Sequence, residues 1–448
     1  MSDTVTSIEL QTRTHDASFQ GPFQGHDAHR SPDETVIPGL KPVDKGRDAW
    51  MVLTAGFVFD ALFWGFPMCF GVFQDYYSSR PEFEADAANV TIIGTVAQAL
   101  YYLGAPFSAL LAKRFPKYRR QQIWLGWLMC ILGLLAASFA TSVTGLIGTQ
   151  GVLYGFGFVI LSYPIISMIN EWWVSRKGMA FGLISASSGA TGAVMPFIIT
   201  SLLAKYGYRT TLQACAVAMT ILTGPLIPLL KSRLPASDQA QLARTEWSFL
   251  QKPLFWVYGI AILTQGLGFF FPINFLPTYA SSIGMSTTGG ALLLSLLSIA
   301  QVLGQFAFGY LSDKNLPVSV LAGVCCTVAG AASFVLWGLS TSLAWLIPFS
   351  IIYGFFACGF GTMRVAMGRD VHGDPLATYA IYVFLQGVGN ILVGPISAAL
   401  TRKPVSMADY GCAKYAGIIL LTGATSLLAT AFIAGWHLYR IVEHRKTN

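Results

Sequence analysis

The sequence predicts an all-α membrane protein, with twelve transmembrane helices in two six-helix bundles and both termini cytosolic. Three observations predict it. Of 448 residues, 54% are hydrophobic and 11% are charged, whereas a soluble domain carries roughly a quarter charged residues. Twelve runs are long and apolar enough to cross a bilayer. Their soft-edged limits are about 50–73, 88–112, 122–141, 146–169, 179–204, 211–230, 254–277, 289–311, 319–338, 344–366, 377–401 and 415–440. The basic residues are also unequally divided. An even number of spans puts both ends on one side. With that side cytosolic, 21 of the 28 Lys and Arg lie inside, six outside, and Arg364 within a span. This is the bias that orients membrane proteins. The net charge of +7 then reads as a topogenic signal, with no nucleic-acid partner implied.

Each segment follows in order. Residues 1–47 are polar, rich in Asp, His, Ser and Pro, and lack the apolar core of a secretory signal. They read as a disordered cytosolic tail. Residues 48–230 form the N-terminal bundle. Its first span, AWMVLTAGFVFDALFWGFPMCFGVF, carries Asp60 about ten residues in, roughly 15 Å deep at 1.5 Å per residue. Asn89 begins an Asn-Val-Thr glycosylation sequon at the outer end of the second span. Residues 231–253 are the longest loop between spans, a basic cytosolic linker. Residues 254–440 form the second bundle and 441–448 a cytosolic tail. Six of the seven cysteines lie in spans and Cys412 stands alone outside, so no disulfide framework is implied.

The halves echo each other. After the eighth span comes GYLSDK, Gly309 to Lys314; after the second comes ALLAKR, Ala109 to Arg114. The six-plus-six layout and this repeat resemble the major facilitator fold, two bundles around a central cavity. That fold's pattern of Gly, three residues, Asp and a basic residue is kept in Gly309, Asp313 and Lys314. The N-terminal copy has Ala109 and Lys113 in place of Gly and Asp, and keeps Arg114. Glycine lets two helices approach closely, and the charges are expected to latch onto the cytosolic end of the span two further on. Asp313 is assigned to Arg364 or Arg369, and Glu171 to Arg114. The plainer reading has these charges snorkelling into headgroup water.

Two stretches resemble the monocarboxylate transporter family, especially its fungal members. One is DKGRDAW, Asp44 to Trp50, leading into the first span. The other is NEWWVSRKGMAFGLISASSGATGAVMP, Asn170 to Pro196, with Trp172, Trp173, Arg176, Lys177, Ala180 and Gly182 matching and Ser187 and Thr191 where glycine is common. The resemblance covers all twelve spans. It implies the fold, but the lactate carriers' charges are missing. Phe66-Pro67 is followed by Met68 where those carriers have lysine, and Gln301 and Gln305 stand where they have Asp and Arg.

Three roles suit Asp60: a proton acceptor that couples proton flow to cargo, a contact for a cargo amine or hydroxyl, or a neutral structural Asp bonded to a neighbour. Arg364 is expected near the cytosolic end of its span, too far in depth to pair with it. Cavity candidates are Gln98, Tyr101, Gln150, Gln265, Gln301, Gln305, Gln386 and Asn390, with Tyr102, Asn274, Trp64, Phe66 and Phe269 to Phe271 nearby. Amides and aromatics suit a mid-sized, partly apolar organic molecule. The competing reading is ordinary helix packing, with amides as interhelical glue.

No catalytic or metal site is expected. The six histidines lie in tails, loops or at a span edge, no nucleophile with a base can be assembled at membrane depth, and no phosphate-binding loop is present. The expected function is secondary transport without a cofactor, by alternating access. Its expected partners are the lipid bilayer and a small organic substrate, with protons as well if Asp60 couples. Efflux of a secondary metabolite or organic acid leads over uptake of a monocarboxylate or vitamin, and over a non-transporting sensor. The plasma membrane is the default location and a vacuolar membrane the alternative.

Overall fold

In lipid every backbone N–H and C=O must find a partner within the chain, which favours helices. The computed structural model describes residues 41–235, 245–314, 316–402, 410–412 and 414–447. Among them no strand occurs. Helix α1 (Arg47–Met68) contains Pro67 and passes through Cys69 into α2 (Phe70–Ser78). Helices α3 (Val90–Leu103) and α4 (Ala105–Arg114) meet at Gly104 with a 45° bend. Pro106, in the first turn of α4, removes an N–H that would bridge the bend. Helix α5 (Arg119–Phe139) follows, then a π-helical turn, Ile147–Leu153, that enters α6 (Tyr154–Trp172). Helix α7 (Lys177–Thr223) is two helices run together across Gly207, whose φ of 74° is open to glycine at little steric cost.

The second half contains α8 (Pro253–Ser282), α9 (Thr287–Leu311), α10 (Val318–Ala332), α11 (Leu343–Asp370), α12 (Pro375–Arg402) and α13 (Ala416–Thr447). Among the described residues, ten helices are long and apolar enough to cross a membrane, eleven if α3 and α4 form one span. Their outer faces carry bare apolar groups. Phe107 is 75% exposed and Phe139 71%, a surface suited to lipid and not to water.

Helices of each half pack mainly within that half: α1 on α7 and α5 on α6 in the first, α9 on α11 and α8 on α12 and α13 in the second. Two seams join the halves, α7 against α9 and α12 against α3 and α4. Both are glycine-lined. A Cβ added to Gly309 of α9 would lie 2.6 Å from the Gly178 carbonyl oxygen and 2.7 Å from Gly182 Cα on α7. Gly387 of α12 leaves room for the Tyr102 ring of α3.

The expected tail needs correction at its end. Residues 1–40, and 236–244 of the expected linker, lie outside the described residues. Asp44, however, is buried, with the left-handed backbone that Asp tolerates (φ 57°). Its N–H donates to the Trp172 carbonyl (2.9 Å). Its carboxylate accepts from the N–H groups of Val174, Ser175 and Arg176 (2.9–3.0 Å) and from the Ser175 hydroxyl (2.8 Å). Burial pushes this carboxyl up, but the donors from Arg176, Ser175 and Val174 outweigh burial and hold its pKa below the usual value. The chain is thus clamped onto the α6–α7 loop just before α1 begins.

Candidate functional site

Between the halves lies a cavity of about 760 Å³, counting its open mouth. The first half contributes Asp60 and Trp64 from α1, Tyr101 and Tyr102 from α3, and Phe181, Ser185 and Ser188 from α7. The second contributes Phe269 and Phe270 from α8, Gln301 and Gln305 from α9, Arg364 from α11, and Tyr379 and Gln386 from α12. Asp60 accepts a hydrogen bond from the Ser187 hydroxyl (2.8 Å). Among the described residues, no basic side chain pairs with it. One hydroxyl does not neutralise a carboxylate, so Asp60 must reach water through the cavity or carry a proton.

Arg364 lies in the same cavity, contrary to its expected place in the cytosolic latch. It donates through Nη1 to the Gln386 side-chain oxygen and sits 5.8 Å from the Tyr379 ring centroid. Among the described residues it has no carboxylate partner, and its Nε is buried without an acceptor. Gln305 Oε1 is likewise buried without a donor, and Gln301 makes a long bond to the Ser188 hydroxyl (3.4 Å). Aromatic rings complete the walls. Trp64 meets Tyr101 edge-on at 4.6 Å, and Phe181 packs on Tyr379 at 5.5 Å.

Of the expected cavity residues, Tyr101, Gln301, Gln305 and Gln386 line it with Asp60, whereas Gln98, Gln150, Gln265 and Asn390 do not. Gln150 is fully buried and accepts from the Tyr77 hydroxyl (3.0 Å); Gln265 is also buried. Polarity within a span marks a residue for a protein partner but does not say which face it occupies. Phe66, Phe271 and Asn274 are outside the lining as well. Asn89 is exposed immediately before α3.

At the basic end of the molecule the seams carry charge. Asp313 accepts from the N–H groups of Gly178 (2.8 Å) and Met179 (2.7 Å) at the start of α7, and pairs with Arg369 (2.8 Å). A carboxylate there meets unpaired N–H groups and the positive end of the helix dipole. Arg369 also donates to the Ser312 carbonyl (2.9 Å). Of the expected set, Gly309, Asp313 and Arg369 come together. Lys314 is directed elsewhere, 4.6 Å from the Tyr310 ring. Glu171 pairs with Arg119 and not Arg114, because the 3-10 turn Pro116–Tyr118 folds Arg119 back to donate to the Ala112 carbonyl (2.9 Å) and leaves Arg114 exposed. Glu171 also accepts from the N–H of Arg233 (3.0 Å). Sequence reasoning misses a further cross-seam pair: Lys113 of α4 meets Asp374, which caps α12 by accepting from the N–H groups of Leu376 (3.2 Å) and Ala377 (3.0 Å). Lys113 occupies the position that is Asp in the repeat, and its partner is acidic to match.

Comparison with known proteins agrees with this architecture. Residues 52–394 match the model of the Major Facilitator Superfamily. The chain is 26% identical over 424 residues to "MFS transporter asaE" of Aspergillus flavus, covering 93% of this chain and 94% of that one. It is 25% identical to the "Fujikurins efflux protein" of Gibberella fujikuroi (97% and 92% covered) and to "Monocarboxylate transporter 12-B" of Danio rerio (81% and 83%). The crystal structure of the human organic anion transporter MFSD10 superposes with a TM-score of 0.61 at 13% identity, covering 86% of this chain and 99% of that one, a likeness of fold alone.

Proposed function

The chain belongs to the major facilitator superfamily, and on that premise we propose that this transporter exports an organic solute by alternating access. Twelve spans with both termini cytosolic complete the reading: ten long helices, the α3–α4 pair as one span, and α7 counted as two across Gly207. The observation that carries it is the cavity, lined from both halves and placed above two charged, glycine-lined seams. The closed basic end faces the cytosol on this reading, so the cavity opens outward. Release of the Asp313 and Lys113 latches would let the halves rock and expose it to the cytosol. Family and relatives are transporters and not enzymes.

Seven aromatic side chains set among amides, hydroxyls and two charged groups suit a mid-sized, partly apolar organic molecule. Fungal relatives named for efflux, such as the fujikurins efflux protein, support export of a secondary metabolite or organic acid. Asp60 is the proton-coupling group on this reading, protonated when the cavity faces one side and ionised when it faces the other. Ser187 steadies the ionised form. The plasma membrane is the proposed location, and Asn89 the proposed glycosylation site.

The experiment is metabolite profiling of cells with and without the chain, with medium and cytosol measured separately. A compound trapped in cells lacking the chain supports export and names the cargo. A compound left unconsumed in their medium means uptake and refutes the proposed direction.

A further inference from the structure

The turn between α4 and α5 presents a cluster of cations away from the seams. Only Phe115 and the 3-10 turn Pro116–Tyr118 separate the two helices. Both helices belong to membrane-crossing segments, so a connection this short lies at the membrane surface. Its own hydrogen bonds close it. The Phe115 N–H donates to the Leu111 carbonyl (3.1 Å) and the Tyr118 N–H to the Phe115 carbonyl (3.0 Å). Arg119 points inward, donating through Nε to the Ala112 carbonyl (2.9 Å) and pairing with Glu171.

Arg114, Lys117 and Arg120 are exposed instead, and among the described residues none of them pairs with a carboxylate. No Asp or Glu occurs between Asp86 and Glu171, and Glu171 is taken by Arg119. The apolar surface beside these cations runs in two rows. Phe107, Leu111 and Arg114 stand at i, i+4 and i+7 on α4, and Arg120, Trp124 and Leu128 at i, i+4 and i+8 on α5. Each row therefore keeps to one side of its helix, and all six side chains are exposed. Each row is apolar toward the membrane interior and ends in a cation at the turn. There Phe115 (47%) and Tyr118 (52%) are exposed as well.

We propose that this turn binds an anionic phospholipid of the cytosolic leaflet, headgroup on the three cations and acyl chains along the two rows. The proposal goes beyond the transport reading and takes from it only the orientation that makes this leaflet cytosolic. The guanidinium groups of Arg114 and Arg120 present planar forks that match phosphate oxygens, and Lys117 adds a compact point charge. Clustered basic residues beside a membrane are drawn to anionic lipid, and aromatic rings such as Phe115 and Tyr118 sit well at headgroup level. Free inorganic phosphate would meet the cations but leave both apolar rows bare. A phospholipid covers the rows and the cations together.

The test places one bimane fluorophore on Gln121→Cys, an exposed position beside Arg120, in the full chain freed of native cysteines. The chain is reconstituted in phosphatidylcholine vesicles that carry a few per cent of a nitroxide-labelled lipid, either phosphatidylserine or phosphatidylcholine. Labelled phosphatidylserine should quench the fluorophore at least about threefold more strongly than labelled phosphatidylcholine. The same fluorophore on Phe139→Cys, at the far end of α5, should be quenched equally by both. The triple variant Arg114→Gln, Lys117→Gln and Arg120→Gln should lose the preference at Gln121→Cys. Equal quenching by the two lipids at Gln121→Cys, an unchanged preference in a folded triple variant, or loss of the preference on adding millimolar inorganic phosphate would each overturn the proposal. The two-lipid comparison decides even if the triple variant fails to fold. Export is judged separately by metabolite profiling, so either reading can fail while the other stands.

Discussion

Replacing Gly309 with alanine should pry open the end of the molecule that is closed in this structure. The added Cβ would fall 2.6 Å from the Gly178 carbonyl oxygen and 2.7 Å from Gly182 Cα, where ordinary contact begins at 3.4 Å. The shortfall is about 0.8 Å. Both obstacles are backbone atoms of α7, so no rotamer change relieves them. Overpacking of this kind costs about 1–3 kcal/mol. That cost falls on the conformation in which α7 touches α9 and disappears when the halves separate. It therefore shifts the balance by about 5- to 150-fold toward the conformation open at this end. Spin labels on Val174→Cys and Lys314→Cys, both exposed, report the distance across the seam in a background without native cysteines. Gly309→Ala should add a longer-distance population. Gly71→Ala, with nothing within 4 Å of its built Cβ, should not. An unchanged distance distribution in Gly309→Ala would mean that the close approach at Gly309 does not set how this end opens.

The other predictions concern charge. Lys113→Glu sets two carboxylates against each other across the seam and should widen the same label distance, whereas Lys113→Glu with Asp374→Lys should restore it. Asp313→Asn keeps one acceptor for the Gly178 and Met179 N–H groups and loses the Arg369 pair, a loss of about 1–3 kcal/mol to the closed conformation in the same assay. Arg119→Ala strips a buried partner from Glu171 and should cost about 3–5 kcal/mol, seen as a lower melting temperature in detergent. Asp44 has a depressed carboxyl in the folded chain. Its contribution is therefore full above the unfolded value near 4 and is lost as pH falls through the lower folded value. Asp44→Asn should lower thermal stability at pH 7, and its deficit should shrink below about pH 4.

The spans are legible because bilayer thickness fixes their length, and Asp60 because a carboxylate in an apolar run has few explanations. Depth and facing are harder to read. Counting inward places Arg364 at the latch, yet it lies five residues before Arg369, about 7.5 Å deeper at 1.5 Å per residue, and reaches the cavity. Gln150 and Gln265 are as polar as Gln301 and Gln386, but composition does not reveal which face of a helix meets the cavity. Glu171 has several basic residues within reach, and the tight turn at Pro116 decides for Arg119. Lys113 reads as a broken repeat because its partner lies 261 residues away. The clearest signal to overlook is Ser187. In the sequence it is a departure from glycine, and in the fold it is the hydroxyl bonded to Asp60.

Whether cargo crosses through this cavity is tested by plugging it. Ser188 lines the cavity, and in a cysteine-free chain Ser188→Cys offers one thiol to a charged, membrane-impermeant thiol reagent added outside intact cells. The reagent should stop export. Cells carrying the modified chain should then retain the same compounds as cells lacking it, while the cysteine-free parent is unaffected. Export that continues at the parent's rate with the introduced thiol fully modified would mean that cargo does not pass through this cavity.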